Sequence, residues 1–200
     1  MKTILQLNSS IYSGNGQSSQ LANEFVAAIR GDDKLVVRDL ARDPVPHLDA
    51  ERFGAFAAKP EARTLKQEAF VAYSDGLIDE LKRADVIVLG LPMYNFGVPS
   101  TLKAYFDHVA RAGVTFQYTA NGPVGLLTGK KAYVLATRGG LYQGTPRDTQ
   151  TAYVREFFAF LGITDVEFVY AEGLAISEAS RTASLAKARE SIGQRLPAYA

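Results

Sequence analysis

The chain has 200 residues, 47% hydrophobic and 22% charged, with a formal net charge of +1. That length suits one globular domain with a full core, and the near-neutral balance supplies no basic surface for nucleic acid or an anionic membrane. The lack of cysteine excludes disulfides, thiolate nucleophiles, iron–sulfur ligation and Cys-based zinc sites.

The opening segment, MKTILQLNSS, is too short in apolar residues for a secretory leader. No stretch reaches the roughly 18 apolar residues of a membrane span, so a soluble cytoplasmic protein is expected. Thr3 to Leu7 reads as a first strand, and Ser18 to Ile29 as a helix with Leu21, Phe25, Ala28 and Ile29 on one face. KLVVRDL, DVIVLG, Lys130 to Thr137 and the run from Val166 supply four more strands. Helical patterns occupy Leu77 to Arg83, Leu102 to Arg111, Thr149 to Leu161 and Ser180 to Arg195. Strands alternating with helices predict a doubly wound five-stranded parallel sheet with helices on both faces, a single domain over residues 1–200. The VIVL core of the third strand is apolar on both faces, as a doubly covered strand requires.

Two departures stand out. Roughly 45 residues separate the second and third strands, too many for one crossover helix, which predicts a helical insertion. Before the fourth strand, FQYTANGPVGLL reads as a small hairpin with Asn121-Gly122 as its type I′ turn, placed over the carboxyl edge of the sheet.

Ligands of such sheets bind outside the carboxyl ends of the strands, and three loops there have unusual composition. After the first strand, NSSIYSGNGQSSQL combines hydroxyls with a helix N-terminus, an anion site by virtue of unpaired donors and dipole. No Gly-Lys-Ser/Thr closes it, and Ser19 stands at the third glycine position of G-x-G-x-x-G, so neither a nucleoside triphosphate nor a dinucleotide fits. A single phosphate monoester remains; helix capping alone is the plainer reading. After the third strand, Met93-Tyr94-Asn95-Phe96 offers an apolar shelf for a planar heterocycle, with Gly97 permitting the turn and Pro99 and Ser100 opening a helix; packing as ordinary core is the alternative. After the fourth strand, Thr137-Arg138-Gly139-Gly140 forms a nest of backbone N–H groups, with Arg138 adding charge or pointing to solvent. One phosphate, one aromatic shelf and one nest at three strand ends describe an FMN site at the switch point of a flavodoxin-like sheet.

SSIYSGNGQSSQL, PMYNFGVPSTLKAYFD, RAGVTFQYTANGPVGLLTGKKAYV and TRGG together resemble the FMN-dependent NADH-azoreductases, also described as FMN-dependent NADH:quinone oxidoreductases, over nearly the whole chain. The resemblance implies non-covalent FMN, with NADH or NADPH as donor. It also implies a homodimer with active sites at the subunit interface. Quinones and azo compounds would be reduced by a ping-pong mechanism, azo bonds in two successive cycles. Position by position, Ser10, Gly16, Gln17 and Ser18 would hold the phosphate. Met93, Tyr94, Asn95 and Phe96 would line the ring, and Thr137, Arg138, Gly139 and Gly140 would close its pyrimidine side. Phe96, Phe116 and Tyr118 would wall the substrate pocket. Gly16 and Thr137 stand where the family pattern carries serines, and the glycine implies a lost hydroxyl contact and a modest loss of phosphate affinity.

No side chain is assigned as an obligatory general base; Tyr118 is the candidate hydrogen-bond donor to the acceptor. His47 and His108 read as surface or structural residues, and Asp107 with Arg111 as a surface ion pair. No metal site is expected. A flavodoxin-type electron carrier is the first rival, disfavoured by the near-neutral charge and the inserted segments. A cofactor-free receiver module is the second, lacking acidic residues at the first strand. An FMN reductase of different acceptor class is the third.

Overall fold

The computed structural model describes residues 1–196, so the last four residues of the expected 1–200 domain lie outside the description. The chain runs β1 (Thr3–Asn8), α1 (Gln17–Ile29), β2 (Lys34–Asp39), α2 (Ala50–Ala57), α3 (Leu65–Arg83), β3 (Val86–Pro92) and α4 (Ser100–Val109). It continues through β4 (Phe116–Thr119), β5 (Gly122–Gly125), β6 (Lys131–Thr137), α5 (Thr149–Phe160), β7 (Asp165–Ala171) and α6 (Glu178–Arg195). Five strands form one parallel sheet in the order β2-β1-β3-β6-β7, and β4 and β5 form a separate antiparallel pair.

The period-2 alternation of each strand feeds two cores. Val86 and Val88 of β3 join Ile4, Tyr133 and Leu135 beneath α1 and α6. Ile87, Leu89 and Leu91 join Leu5, Leu7, Ala132 and Val134 beneath α3, α4 and α5. Every residue of β3 is buried, which is why its sequence shows no polar alternation.

The insertion after β2 holds α2 and the first half of α3. That helix starts at Leu65 and not Leu77, because Thr64 and Gln67 form a reciprocal capping box. The insertion covers α4 through residues whose sequence reading needs correction. Arg111 is buried: its guanidinium meets Asp75 at 2.5 Å and Ser74 at 3.1 Å, 4.9 Å from the Phe56 ring centroid. Asp107 pairs with Lys103, one turn earlier on α4. There is no Asp107–Arg111 surface pair. His108 is structural as expected, but buried, with the Phe56 and Tyr73 rings against it at 5.9 and 5.7 Å.

The β4–β5 hairpin also departs from expectation, in turn and in place. The left-handed residue is Gly122 (φ 106°), while Asn121 has no positive φ, so the turn is not type I′, which needs both central residues there. The hairpin lies at the amino edge of the sheet. Helix α4 leaves the carboxyl end of β3 and runs back to the amino edge, and the hairpin follows it. It rests on the last turn of α5: Leu127 N–H donates to Leu161 O at 2.8 Å, and Phe116 packs on Phe160 at 4.2 Å between centroids.

Two outcomes follow. A Cβ on Gly125 would stand 2.0 Å from Gly162 N and 2.2 Å from Leu161 C, so Gly125→Ala should lower the unfolding free energy by about 1–3 kcal/mol in denaturant titration. Burial holds the His108 imidazole below its ordinary value of 6.5. The unfolded state therefore binds the proton more readily, and this contribution is full above pH 6.5 and lost as pH falls below it. In unfolding titrations on the acid side of that value, His108→Leu should show a shallower dependence on pH than the wild type.

Candidate active site

Three loops leave the carboxyl ends of β1, β3 and β6, which lie side by side at the centre of the sheet. The first runs from Ser9 through a 3₁₀ turn at Ser13–Asn15 into α1. The N-cap of α1 is Gly16, which supplies no side-chain hydrogen bond. The first-turn amides of a helix have no intrahelical acceptors, and here Ser18 and Ser19 are buried with hydroxyl oxygens that have no partner. Serines used only as caps would be bonded to the helix backbone. A buried helix start with orphan hydroxyls fits a bound anion.

Close packing sets this helix start against the sheet. Ser9 Oγ donates to Gly90 O at 2.7 Å, and a Cβ on Gly90 would stand 3.0 Å from Ser18 O. Gly16 is likewise dictated by a neighbour: a Cβ there would lie 2.0 Å from Ser10 Oγ and 2.5 Å from Ser10 Cβ. The Ser10 side chain fills the space a residue-16 side chain would need. Ser10 Oγ also accepts from Tyr12 N–H at 3.2 Å and meets the Tyr94 hydroxyl at 3.3 Å, which joins the first loop to the second.

The second loop is a two-residue turn. Tyr94 and Gly97 exchange both backbone hydrogen bonds, 3.2 and 2.9 Å, and Asn95 and Phe96 between them have φ of 49° and 62°. The sharp turn is thus carried by Asn95 and Phe96, and Gly97 has an ordinary φ. Such a conformation is strained for a phenylalanine, at about 1–3 kcal/mol for each such residue. Neither Ser100 nor Pro99 caps α4 through a side chain; Pro99 is the N-cap and Ser100 the first helical residue. The Asn95 and Phe96 N–H groups have no acceptor among the described residues, whereas the carbonyls of Pro92, Tyr94, Phe96 and Gly97 are held. Gln150 Nε2 donates to Pro92 O at 2.9 Å and to Gly97 O at 2.8 Å, and the Thr149 hydroxyl donates to Phe96 O.

The third loop repeats this polarity. Carbonyls of Arg138, Gly139 and Gly140 accept from Leu174, Ala175 and Gly173 at 3.1, 3.0 and 2.9 Å, while the Gly139 and Gly140 N–H groups find no acceptor among the described residues. Arg138 points neither to solvent nor toward a ligand. Its side chain is 0% exposed, with Asp148 at 2.7 Å, Glu172 at 3.0 Å and the Thr151 hydroxyl at 3.1 Å. Burial works against ionised Asp148, but hydrogen bonds from Arg138 and Thr151 outweigh it and hold the carboxyl below its ordinary value of 3.8.

Ser10, Gly16 to Ser18, Met93 to Phe96 and Thr137 to Gly140 thus come together on three adjacent strand ends. Tyr118 does not join them: it stands 75% exposed on the hairpin at the opposite edge, and Phe116 is buried beneath it. A cavity of about 460 Å³ runs beside Phe96, Gly97 and Val98, lined also by His47 and Lys103. The sequence reading missed Asp148, Thr149, Gln150 and Glu172. Asp148 and Thr151 at the start of α5 carried a capping signal, and Glu172 directly follows β7. Among the described residues no cluster could hold a metal ion, and no helix is long and apolar enough to cross a membrane.

Unshared donors at the switch point of the β2-β1-β3-β6-β7 sheet are the arrangement of a mononucleotide-binding α/β protein. Residues 2–196 match the family described as flavodoxin-like fold. An FMN-dependent NADH:quinone oxidoreductase of Cellvibrio japonicus is 53% identical, covering 99% of this chain and 100% of that protein. An FMN-dependent NADH:quinone oxidoreductase 6 of Burkholderia lata is 55% identical, over 96% and 98%. The crystal structure of an azoreductase from Bacillus anthracis superposes with a TM-score of 0.86 at 28% identity, covering 97% of this chain and 100% of that one. The chain belongs to the FMN-dependent NADH:quinone oxidoreductases of the flavodoxin-like fold family.

The Ser10–Gly16 contact sets a packing cost against the hydroxyl that a serine at position 16 would add. Gly16→Ser must displace Ser10, an overpacking cost of about 1–3 kcal/mol. FMN affinity measured by flavin fluorescence quenching should fall about tenfold or more.

Proposed function

We propose that this chain transfers two electrons from NADH or NADPH through FMN to quinones, and over two successive cycles cleaves azo compounds to amines. The observation that carries the reading is the polarity of the three loops. Carbonyls of Pro92, Phe96, Gly97 and residues 138–140 are taken up inside the protein, while amides of Asn95, Phe96, Gly139 and Gly140 and the hydroxyls of Ser18 and Ser19 are left over.

Ser10, Gly16, Gln17 and Ser18 hold the phosphate, with the α1 N-terminus supplying the dipole. The turn Met93 to Phe96 lines the ring. Thr137, Gly139 and Gly140 close its pyrimidine edge, and Arg138 supports that segment from behind. FMN, when bound, supplies the hydride and two-electron chemistry. The protein's part is to seat it, to aim N–H donors at the edge where negative charge grows, and to leave one face open. A single open face serving donor and acceptor in turn gives ping-pong kinetics.

The chain acts as a homodimer with its active sites at the subunit interface. Support comes from Tyr118, which sits at the amino edge of its own sheet while the three loops sit at the carboxyl edge. Tyr118 can therefore wall only a flavin bound to another copy, with Phe116 bracing it by an edge contact at 5.4 Å. Exposed Ile11, Tyr12, Leu141 and Ile176 surround the loops and supply apolar surface for that contact.

The purified protein should show a flavin absorbance spectrum, bleached by anaerobic NADH and restored by a quinone. Initial rates at several fixed acceptor concentrations should give parallel double-reciprocal lines. A flavin that responds only to chemical reductant and not to NADH would establish an electron carrier instead. Intersecting lines would exclude alternate occupation of one face.

A further inference from the structure

The pair of donors Gly139–Gly140 is only as well aimed as the segment behind it, and that segment is built on one carboxylate. Glu172 Oε1 accepts from Arg138 at 3.0 Å and from the backbone N–H groups of Tyr142 and Gln143, each at 3.0 Å; Oε2 accepts from Gln143 N–H at 3.2 Å. Those contacts bracket the diglycine on both sides. The following residues complete the frame, because Gly173, Leu174 and Ala175 donate to the three carbonyls of residues 138–140. Glu172 therefore fixes residues before and after the nest, while residues 173–175 fix the nest itself.

The charge count adds a second consequence. Among the described residues Arg138 is the one cation paired with Asp148 and Glu172, its own side chain fully buried. Lys187 and Arg195 line the open cavity beside Glu172 without an ion pair to it, so within the paired network one negative charge is left in excess. The ring of Tyr170, 5.1 Å from the Arg138 guanidinium carbon, and the Thr151 hydroxyl add no cation. Interactions between charges in such a site are stronger than in water. Charge that grows on the far side of the two glycines is therefore opposed by Glu172.

We propose that Glu172 is a positioning residue for the cofactor: through Arg138 and residues 142–143 it aims the Gly139 and Gly140 amides, and the negative charge left in its paired network makes the bound flavin a stronger reductant. The inference rests on the placement of FMN against the three loops. Glu172→Gln keeps an acceptor for Arg138 and for the two amides but removes the charge. Glu172→Ala removes both.

The test measures FMN dissociation constants and midpoint potentials of wild type, E172Q and E172A. E172Q should bind oxidised FMN within about twofold of wild type while binding two-electron-reduced FMN about tenfold more tightly relative to it. A tenfold change for a two-electron couple is a rise of about 30 mV. E172A should lose about tenfold in affinity for oxidised FMN. A potential unchanged in E172Q, with E172A altering thermal stability alone, would overturn the proposal and leave Glu172 a purely structural residue. If E172A does not fold, the potential of E172Q decides by itself. A wild-type protein that binds no FMN would overturn the placement of the cofactor and this inference with it.

Discussion

The first turn of α5 grips two loops at once, and the site depends on that grip. Thr149 and Gln150 hold the carbonyls of the β3 loop, while Asp148 and Thr151 hold the guanidinium beneath the β6 loop. A four-residue stretch thus sets the distance between an apolar shelf and a nest of amides. Glu172 closes the same frame from the end of β7. The carbonyls of Pro92, Phe96, Gly97 and residues 138–140 are thereby committed.

That commitment explains why the remaining donors are available. Polar groups buried in a folded chain are almost always paired, so the orphan buried hydroxyls of Ser18 and Ser19 mark a place where something else completes the pairing, with the unshared amides of the more open β3 and β6 loops beside them. Asn95 and Phe96 in left-handed conformations have the same meaning. A local cost of this kind persists only where surrounding contacts over-determine it, and the Gln150 and Thr149 hydrogen bonds do so here. The Phe96–Tyr142 edge contact, 5.7 Å between centroids, joins the strained turn to the segment that Glu172 holds.

Much of this was legible in the sequence because local composition reported it. The doubly apolar VIVL, the serines before α1, the aromatics after β3 and the paired glycines after β6 each had a local physical cause, and the doubly wound parallel sheet followed from the alternation of strands with helices. What stayed hidden was decided by distant partners. Arg138 reads as an exposed charge until Asp148 and Glu172 are brought to it from ten and thirty-four residues away. Arg111 reads as a partner for Asp107 by helical spacing, but α3 supplies Asp75 from the insertion. Gly16 reads as a missing serine until Ser10 is seen to fill its space. The place of the hairpin could have been deduced, since a helix leaving the carboxyl end of β3 must return to the amino edge before the chain goes on.

The central claim is that the unshared amides of the β3 and β6 loops receive one and the same FMN molecule. Amide chemical shifts in a ¹⁵N-labelled sample, followed as FMN is added, test it most directly. The account predicts that Asn95, Phe96, Gly139 and Gly140 shift together with the amides of Gln17 and Ser18, on one binding curve with one dissociation constant. Shifts confined to the first loop, or separate curves for the three loops, would contradict it.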